Sequence, residues 1–355
     1  MSTLMGGISD AFDEDTRLAH ASVAEPDYNG DLPDLSVVIP TYRRPEMLAR
    51  CLAAVLAQDF DPARYEIIVC DDGPDAATRD CVERLAREHA AHGPRIRYIP
   101  VTATQGPAGA RNVGWRAARA RRIAFTDDDT QPAVRWLSAG LHAMNMGADA
   151  VAGRIVVPLP ERPTDYERDA AGLAHAEFAT ANVFVERAAL ARTGGFDARF
   201  TSAWREDSDL QFALMESGFV FARADDAVVL HPVRPARWGV SLSQQKKSQF
   251  DALLYKKYPR LYQERIRRAP PLLYYAIIAA AAMTPCAWAS GNGRLAIIAA
   301  LAWLCMTGWF CIKRLSSTAR SSAHRLEMAY TSIAIPFLSI FWRLYGAVKF
   351  RVLFI

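Results

Sequence analysis

The amino-acid sequence predicts an α/β protein with a membrane-associated C-terminal tail, and two patterns carry that prediction. Across residues 34–260, short β-branched runs alternate with helical patterns, as expected of a mostly parallel sheet covered by helices on both faces. From Leu272 onward, charge-free apolar runs reach the length needed to span a bilayer.

The alternation begins with LSVVIP (Leu35–Pro40), a strand that stops at a proline, followed by a helical pattern from Pro45 to about Gln58. YEIIVC (Tyr65–Cys70) precedes a charged amphipathic helix near Ala76–His89, and RIRYIPV precedes a helix near Ala108–Arg119. RRIAFT (Arg121–Thr126), a helix over about Ala133–Met146 and the extended run ADAVAGRIVVP complete the first half. After a polar, proline-containing stretch, ATANVFVERAALARTGGFD, EDSDLQFALMESG and FVFARADDAVVLHP read as a second half of the same domain, built around an acceptor cleft. Residues 1–33 are acidic (Asp10, Asp13, Glu14, Asp15, Glu25, Asp27) and lack an apolar core, so they read as a disordered leader and not as a signal peptide.

Composition narrows the partners. A net charge of +4 lacks the dense basic stripe of a nucleic-acid binder, but it suits lipid headgroups or phosphate substrates. Six cysteines without a C-x-x-C pair give neither a zinc site nor a disulfide framework, which points to a reducing cytosol for the globular part.

In the tail, Leu272–Ala289 spans about 27 Å as a helix, and Leu295–Ile312 matches it. Only SGNGR separates them, so the pair reads as a helical hairpin that crosses the membrane and returns. KKYPRLYQERIRR before the first span and KRLSSTARSSAHR after the second are basic, whereas the turn offers only Arg294; both flanks should therefore face the cytoplasm. The last apolar segment, about residues 328–349, is broken by Pro336 and Arg343 and reads as either a third span or an interfacial helix. A hairpin buried within a soluble protein is the alternative for the whole tail.

The sharpest motifs fall at strand ends, where ligands of such sheets bind. TDDDT (Thr126–Thr130) follows the strand RRIAF, and carboxylates at i and i+2 on an extended chain can point to one side and hold a hard divalent cation against a diphosphate. Asp127 and Asp129 form that pair; a solvated acidic turn is the plainer alternative. In CDDG (Cys70–Gly73) an aspartate can accept a hydrogen bond from a nucleotide base or ribose, or it can cap the next helix. QGPAGARN turns into a helix whose Arg111 can meet phosphate or base. WREDSDL (Trp204–Leu210) offers Asp207 as a general base, with Glu206 holding the acceptor or the helix terminus; both also fit an acidic first turn favoured by the helix dipole. His231, in VVLHPV, can complete the metal shell as a neutral imidazole or serve the structure alone.

Taken together, VVIPTYRR, VCDDG, GPAGARNVG, FTDDDT, GGFD and WREDSDLQ resemble the ordered motif series of family 2 inverting glycosyltransferases with the GT-A fold, over about Leu35–His231. The resemblance implies that Pro40, Thr41 and Tyr42 line a nucleotide pocket with Arg43 nearby, and that Asp72 or Asp71 contacts the base. It further implies that Asp127 and Asp129 form the metal motif with Asp129 the direct ligand, that Asp207 is the base, and that Gly194, Gly195 and Phe196 shape the acceptor side. The Q-x-x-R-W motif of processive members is absent: Trp238 and Gln244–Lys247 stand in that region in another order. The expected activity is therefore non-processive, inverting sugar transfer from a nucleotide-sugar donor, a UDP- or other nucleoside-diphosphate sugar, with Mn²⁺ or Mg²⁺, to a lipid-linked or other membrane-proximal acceptor. Transfer to polyprenyl phosphate and a silent membrane scaffold of the same fold are the alternatives. Basic residues before the first span (Lys256, Lys257, Arg265, Arg267, Arg268) fit electrostatic anchoring to membrane lipids, or the phosphate of a lipid-linked acceptor.

Overall fold

The computed structural model describes residues 32–354, so the leader expected over residues 1–33 lies almost wholly outside the described residues. Strands β1 (Leu35–Thr41) and β2 (Tyr65–Asp71) are buried along their whole length. That is what their near-continuous apolar runs demand of central strands covered on both faces. With β3 (Arg95–Pro100), β4 (Arg122–Phe125), β5 (Gln131–Pro132), β6 (Ala150–Val156), β7 (Val183–Glu186) and β8 (Phe221–Leu230), they form an eight-stranded sheet in the order β3-β2-β1-β4-β7-β6-β8-β5. The first four neighbours are parallel, as is the pair β6–β8; β7 runs antiparallel to both β4 and β6, and β5 to β8. The expected mostly parallel sheet is therefore present, with an antiparallel strand where its two halves meet.

Alternation along β1 sorts its side chains between two cores. Leu35, Val37 and Ile39 join the layer under helices α1 (Pro45–Leu56), α2 (Ala76–Glu88) and α4 (Trp136–Asn145); Val38 joins the opposite layer under α3 (Pro107–Ala117). Helices α5 (Asp165–Ala170), α6 (Arg187–Thr193) and α7 (Glu206–Glu216) follow, the last two packing into that second layer through Leu190 and Leu210. After the short α8 (Val240–Gln244), a third core joins Phe200 and Phe212 to α9 (Gln249–Lys257) and α10 (Pro259–Arg265), through Phe250, Leu253 and Leu261.

The tail folds as α11 (Leu272–Ala289), α12 (Gly293–Leu315) and α13 (Ser322–Lys349), all three long and apolar enough to cross a membrane. Most of the apolar surface of the α11–α12 hairpin points outward, with Ile297, Ile298, Leu301 and Trp309 more than half exposed. Such a surface suits lipid and disfavours the buried-hairpin alternative. Helix α13 is tied to the globular part at both ends. Near its start, Glu327 accepts a bond from the Gly239 amide (2.6 Å) and Tyr330 stacks on Trp238; near its end, Lys349 donates to Gln249 (3.1 Å) and Gly346 lies against the Gln249 backbone. Arg314, at the end of α12, meets the middle of α13 through Thr331 and Ser332 and pairs with Asp165 of α5 at 2.8 Å.

Candidate active site

At the carboxyl end of β4, the TDDDT turn is clamped by its own threonines. The hydroxyls of Thr126 and Thr130 lie 2.7 Å apart, and their two protons are shared among that contact and the carbonyls of Ala181 and Asp127. The aspartates therefore sit in a turn and not on an extended chain, closed by the Thr130 amide donating to the Asp127 carbonyl (3.2 Å). Asp128 turns inward, accepts from Thr41 at 2.8 Å and pairs with Arg44 at 3.1 Å. Burial, against the pull of Arg44, pushes its carboxyl up to about 6. Asp127 and Asp129 turn the other way, and with His231 at the end of β8 they place three ligand atoms within 4.8 Å of one another. Two hard oxygens and an imidazole suit Mn²⁺ or Mg²⁺, so the residues fit the expected ion.

Arg111, carried on α3, is buried behind this group. It pairs with Asp127 at 2.7 Å and with Glu206 at 3.3 Å, and its guanidinium lies over the Phe196 ring. Burial raises the carboxyl of Asp127, but Arg111 and then His231 outweigh it and hold Asp127 below the usual carboxylate range. Glu206 goes the other way: burial first, then the charge of Asp207, lift it to about 8 in spite of Arg111. At neutral pH Glu206 therefore keeps its proton. Burial also raises Asp207, with Arg111 and Thr180 opposing; the Thr180 hydroxyl donates to it at 2.6 Å. Asp207 faces a cleft of about 490 Å³ lined also by Asp127, His231, Tyr166 and Lys247.

The residues expected around a nucleotide divide. Pro40 and Thr41 are buried, Thr41 by its bond to Asp128, while Tyr42 is half exposed beside the aspartate turn. Its ring lies on Gly73, where a Cβ would come within 2.4 Å of it, so this glycine makes room for the tyrosine. Arg43 sits over the Tyr42 ring at a left-handed turn (φ 52°), and it is Arg44 that reaches the aspartates. Asp71 is fully buried and accepts from the amides of Gly73 and Asp75 and from the Tyr98 hydroxyl, which leaves it no room for a base. Asp72 is less buried, accepts from the Gly106 amide through one oxygen and has no protein partner on the other.

Of the two roles open to Glu206, its place as the first residue of α7 fits the helix terminus; its carboxyl is nearly inaccessible and paired with Arg111 at the edge of the same cleft. One expectation needs correction. Gly194, Gly195 and Phe196 do not line the cleft: Asn112 bonds both the amide and the carbonyl of Phe196, and a Cβ on Gly195 would strike Asn112 and Trp115. Gly195 and Phe196 pack the loop behind Arg111, and Gly194 ends α6 in a left-handed conformation (φ 81°). Four contributors escaped sequence reasoning: Arg44, Thr180, Arg234 (2.9 Å from Asp129) and Tyr98. The doubled arginine after PTY was a usable signal for Arg44, whereas nothing near Thr180 marks it as a partner of a residue 27 positions away.

Two family profiles match the chain, Glycosyl transferase family 2 over residues 36–206 and Glycosyl transferase family group 2 over residues 166–313. The chain belongs to glycosyltransferase family 2. This glycosyltransferase is 28% identical over 214 residues to Glycosyltransferase AglE of Haloferax volcanii, a match taking in 58% of the present chain and 68% of the relative. It is 32% identical over 127 residues to the GalNAc(5)-diNAcBac-PP-undecaprenol beta-1,3-glucosyltransferase of Campylobacter jejuni, spanning 36% of the chain and only 39% of that enzyme. Among solved structures, the mannosyltransferase PcManGT of Pyrobaculum calidifontis, in complex with GDP-Man and Mn²⁺, superposes with a TM-score of 0.57 at 18% identity. The superposition covers 96% of the chain and 93% of the neighbour, and it shows the GT-A fold in the glycosyltransferase described here.

Proposed function

We propose that this glycosyltransferase moves a sugar from a nucleoside-diphosphate donor to a hydroxyl of a lipid-linked acceptor, one sugar at a time and with inversion. The observation that carries the reading is that Asp207 lines one cleft with Asp127 and His231, while Asp129 completes the Asp127–Asp129–His231 group from the adjoining pocket and Arg111 pairs with both Asp127 and Glu206. The names of the relatives support it: the Campylobacter enzyme is named for a diphosphate-linked undecaprenol acceptor, and PcManGT was solved with GDP-Man and Mn²⁺.

In this reading Tyr42 and Asp72 contact the nucleoside, and Asp127, Asp129 and His231 hold a divalent cation whose chemistry is to neutralise the leaving diphosphate. Asp207 takes the proton of the acceptor hydroxyl as its oxygen bonds to the anomeric carbon. The bond from that carbon to the diphosphate breaks on the opposite face, and the nucleoside diphosphate leaves. Arg111 holds Asp127 below the usual carboxylate range, and a protonated Glu206 adds no second negative charge beside Asp207. The decisive experiment is nucleotide release from a sugar-nucleotide panel with and without Mn²⁺ or Mg²⁺. Asp129→Ala and EDTA are each expected to abolish turnover, and full activity in EDTA would sink the cation's role.

For topology, both ends of the α11–α12 hairpin lie on the side of the globular domain and carry the basic flanks, which supports a cytoplasmic active site. The ties at both ends of α13 support an interfacial helix over a third span. With Cys286, Cys305 and Cys311 replaced by alanine, Ser290→Cys should react with an impermeant maleimide from outside, and Ser317→Cys only from the cytoplasm. Ser322→Cys, at the first residue of α13, and Arg351→Cys, just beyond its end, should label from the same side; labelling from opposite sides would make α13 a span.

A further inference from the structure

Arg234 stands where three cavities meet. It lines a small pocket beside Asp129, of about 110 Å³, the large cleft that holds Asp127 and Asp207, and a third pocket of about 310 Å³ toward Trp238 and Glu327. Its Nε lies 2.9 Å from one oxygen of Asp129, whose other oxygen is 3.5 Å from His231 Nε2. Asp129 is nearly buried, whereas the Arg234 side chain is 47% exposed. The arginine belongs to a strap without regular structure, His231–Gly239, fastened at both ends and carrying prolines on either side of Arg234. At one end the His231 amide donates to the Val156 carbonyl (2.9 Å); at the other Trp238 stacks on Tyr330, and the Gly239 amide donates to Glu327 of α13.

We propose that Arg234 and the divalent cation compete for Asp129, and that Arg234 passes from Asp129 to the diphosphate of the donor when the cation takes the carboxylate. The inference rests on the reading that Asp127, Asp129 and His231 hold the cation. A carboxylate that already serves a guanidinium is a poorer ligand for a metal ion, and the two positive charges repel each other across a single side chain. A bound donor brings anionic phosphoryl oxygens to the same place. The planar guanidinium fork suits those oxygens, and the exposed side chain already opens onto the cleft. The exchange keeps a positive charge on Asp129 before donor binding and turns the same residue into a donor contact afterwards.

The prediction is an effect of opposite sign on two ligands. Mn²⁺ binding is measured by the electron paramagnetic resonance signal of the free ion, on the full chain in detergent without nucleotide; UDP and GDP binding are then measured in saturating Mn²⁺. Arg234→Gln, which removes the charge and keeps most of the length, is expected to bind Mn²⁺ alone about two- to fivefold tighter, as relief of a partly exposed ion pair allows. It is expected to bind whichever of the two nucleotides the wild type accepts about ten- to a hundredfold more weakly, the loss of a charged phosphate contact. Arg234→Lys retains the charge and should bind Mn²⁺ like the wild type with only part of the nucleotide loss. A structural role for Arg234 would weaken both ligands together. Unchanged or weaker Mn²⁺ binding by Arg234→Gln, or unchanged nucleotide binding, overturns the exchange. Asp129→Ala separates that failure from failure of the underlying reading. If Asp129→Ala loses Mn²⁺ while Arg234→Gln gains none, the cation site stands and the exchange falls; if Asp129→Ala binds Mn²⁺ normally, the cation site itself falls, and the exchange with it.

Discussion

Asp207→Asn is expected to slow sugar transfer about a hundred- to ten-thousand-fold while donor and metal bind almost normally. The amide keeps the shape of the carboxylate and can still accept the Thr180 hydroxyl bond, so the cleft should hold its form. What it loses is basicity, and a general base of this kind contributes some 3 to 5 kcal/mol to the barrier. A purely helix-capping role predicts no such loss, because asparagine caps as well as aspartate. The geometry already disfavours that alternative: the cap of α7 is Arg205, in a left-handed conformation, and the Asp207 carboxylate is turned to Thr180. Burial holds Asp207 above the ordinary carboxylate range, so the acid limb of kcat/KM should fall above about pH 4 and disappear in the variant. Transfer within threefold of wild type, with a folded protein and a competent acceptor, would return Asp207 to a structural role and leave the base unassigned.

What the sequence disclosed, and what it hid, follows from the range of each interaction. Apolar runs such as LSVVIP and YEIIVC announce central strands because burial on both faces leaves no room for a polar period. The first apolar helix could be placed to the residue because Pro271 and Ser290 bound an uninterrupted run. TDDDT and WREDSDL were legible because their chemistry is written in consecutive residues. Hidden were the pairings that only the fold creates, such as Thr180 with Asp207, Arg234 with Asp129, and the inward turn of Glu206 to Arg111. Asp71 and Asp72 show the same limit. Adjacent in sequence and alike in chemistry, they are separated by strand alternation, which buries the first under Tyr98 and leaves the second with an unpartnered oxygen. The antiparallel placement of β7 was equally unreadable, since strand direction depends on where a long connection returns.

Arg111→Met is expected to be the most destabilising single change in the site. The side chain is 3% exposed and holds two carboxylates, Asp127 at 2.7 Å and Glu206 at 3.3 Å. Removing one partner of a buried ion pair typically costs about 3 to 5 kcal/mol, because the charges left behind remain desolvated. For a domain of this size that corresponds to a fall in melting temperature of about 6 to 20 °C, measured in detergent with chelator present. Glu206 bears little of the loss, since it already keeps its proton near neutrality; the cost falls on Asp127, and Arg111→Met combined with Asp127→Asn should recover much of the stability. Glu206 supplies an independent check of sign. Its folded value, about 8, lies above that of the unfolded chain, so between about pH 4 and 8 the folded state binds the extra proton and stability falls as pH rises through that window. Glu206→Gln fixes the neutral form, and its melting temperature relative to wild type should therefore climb between pH 6 and 9. A difference that stays flat across that range would mean that Glu206 is ionised throughout, and that Arg111 holds two negative charges and not one.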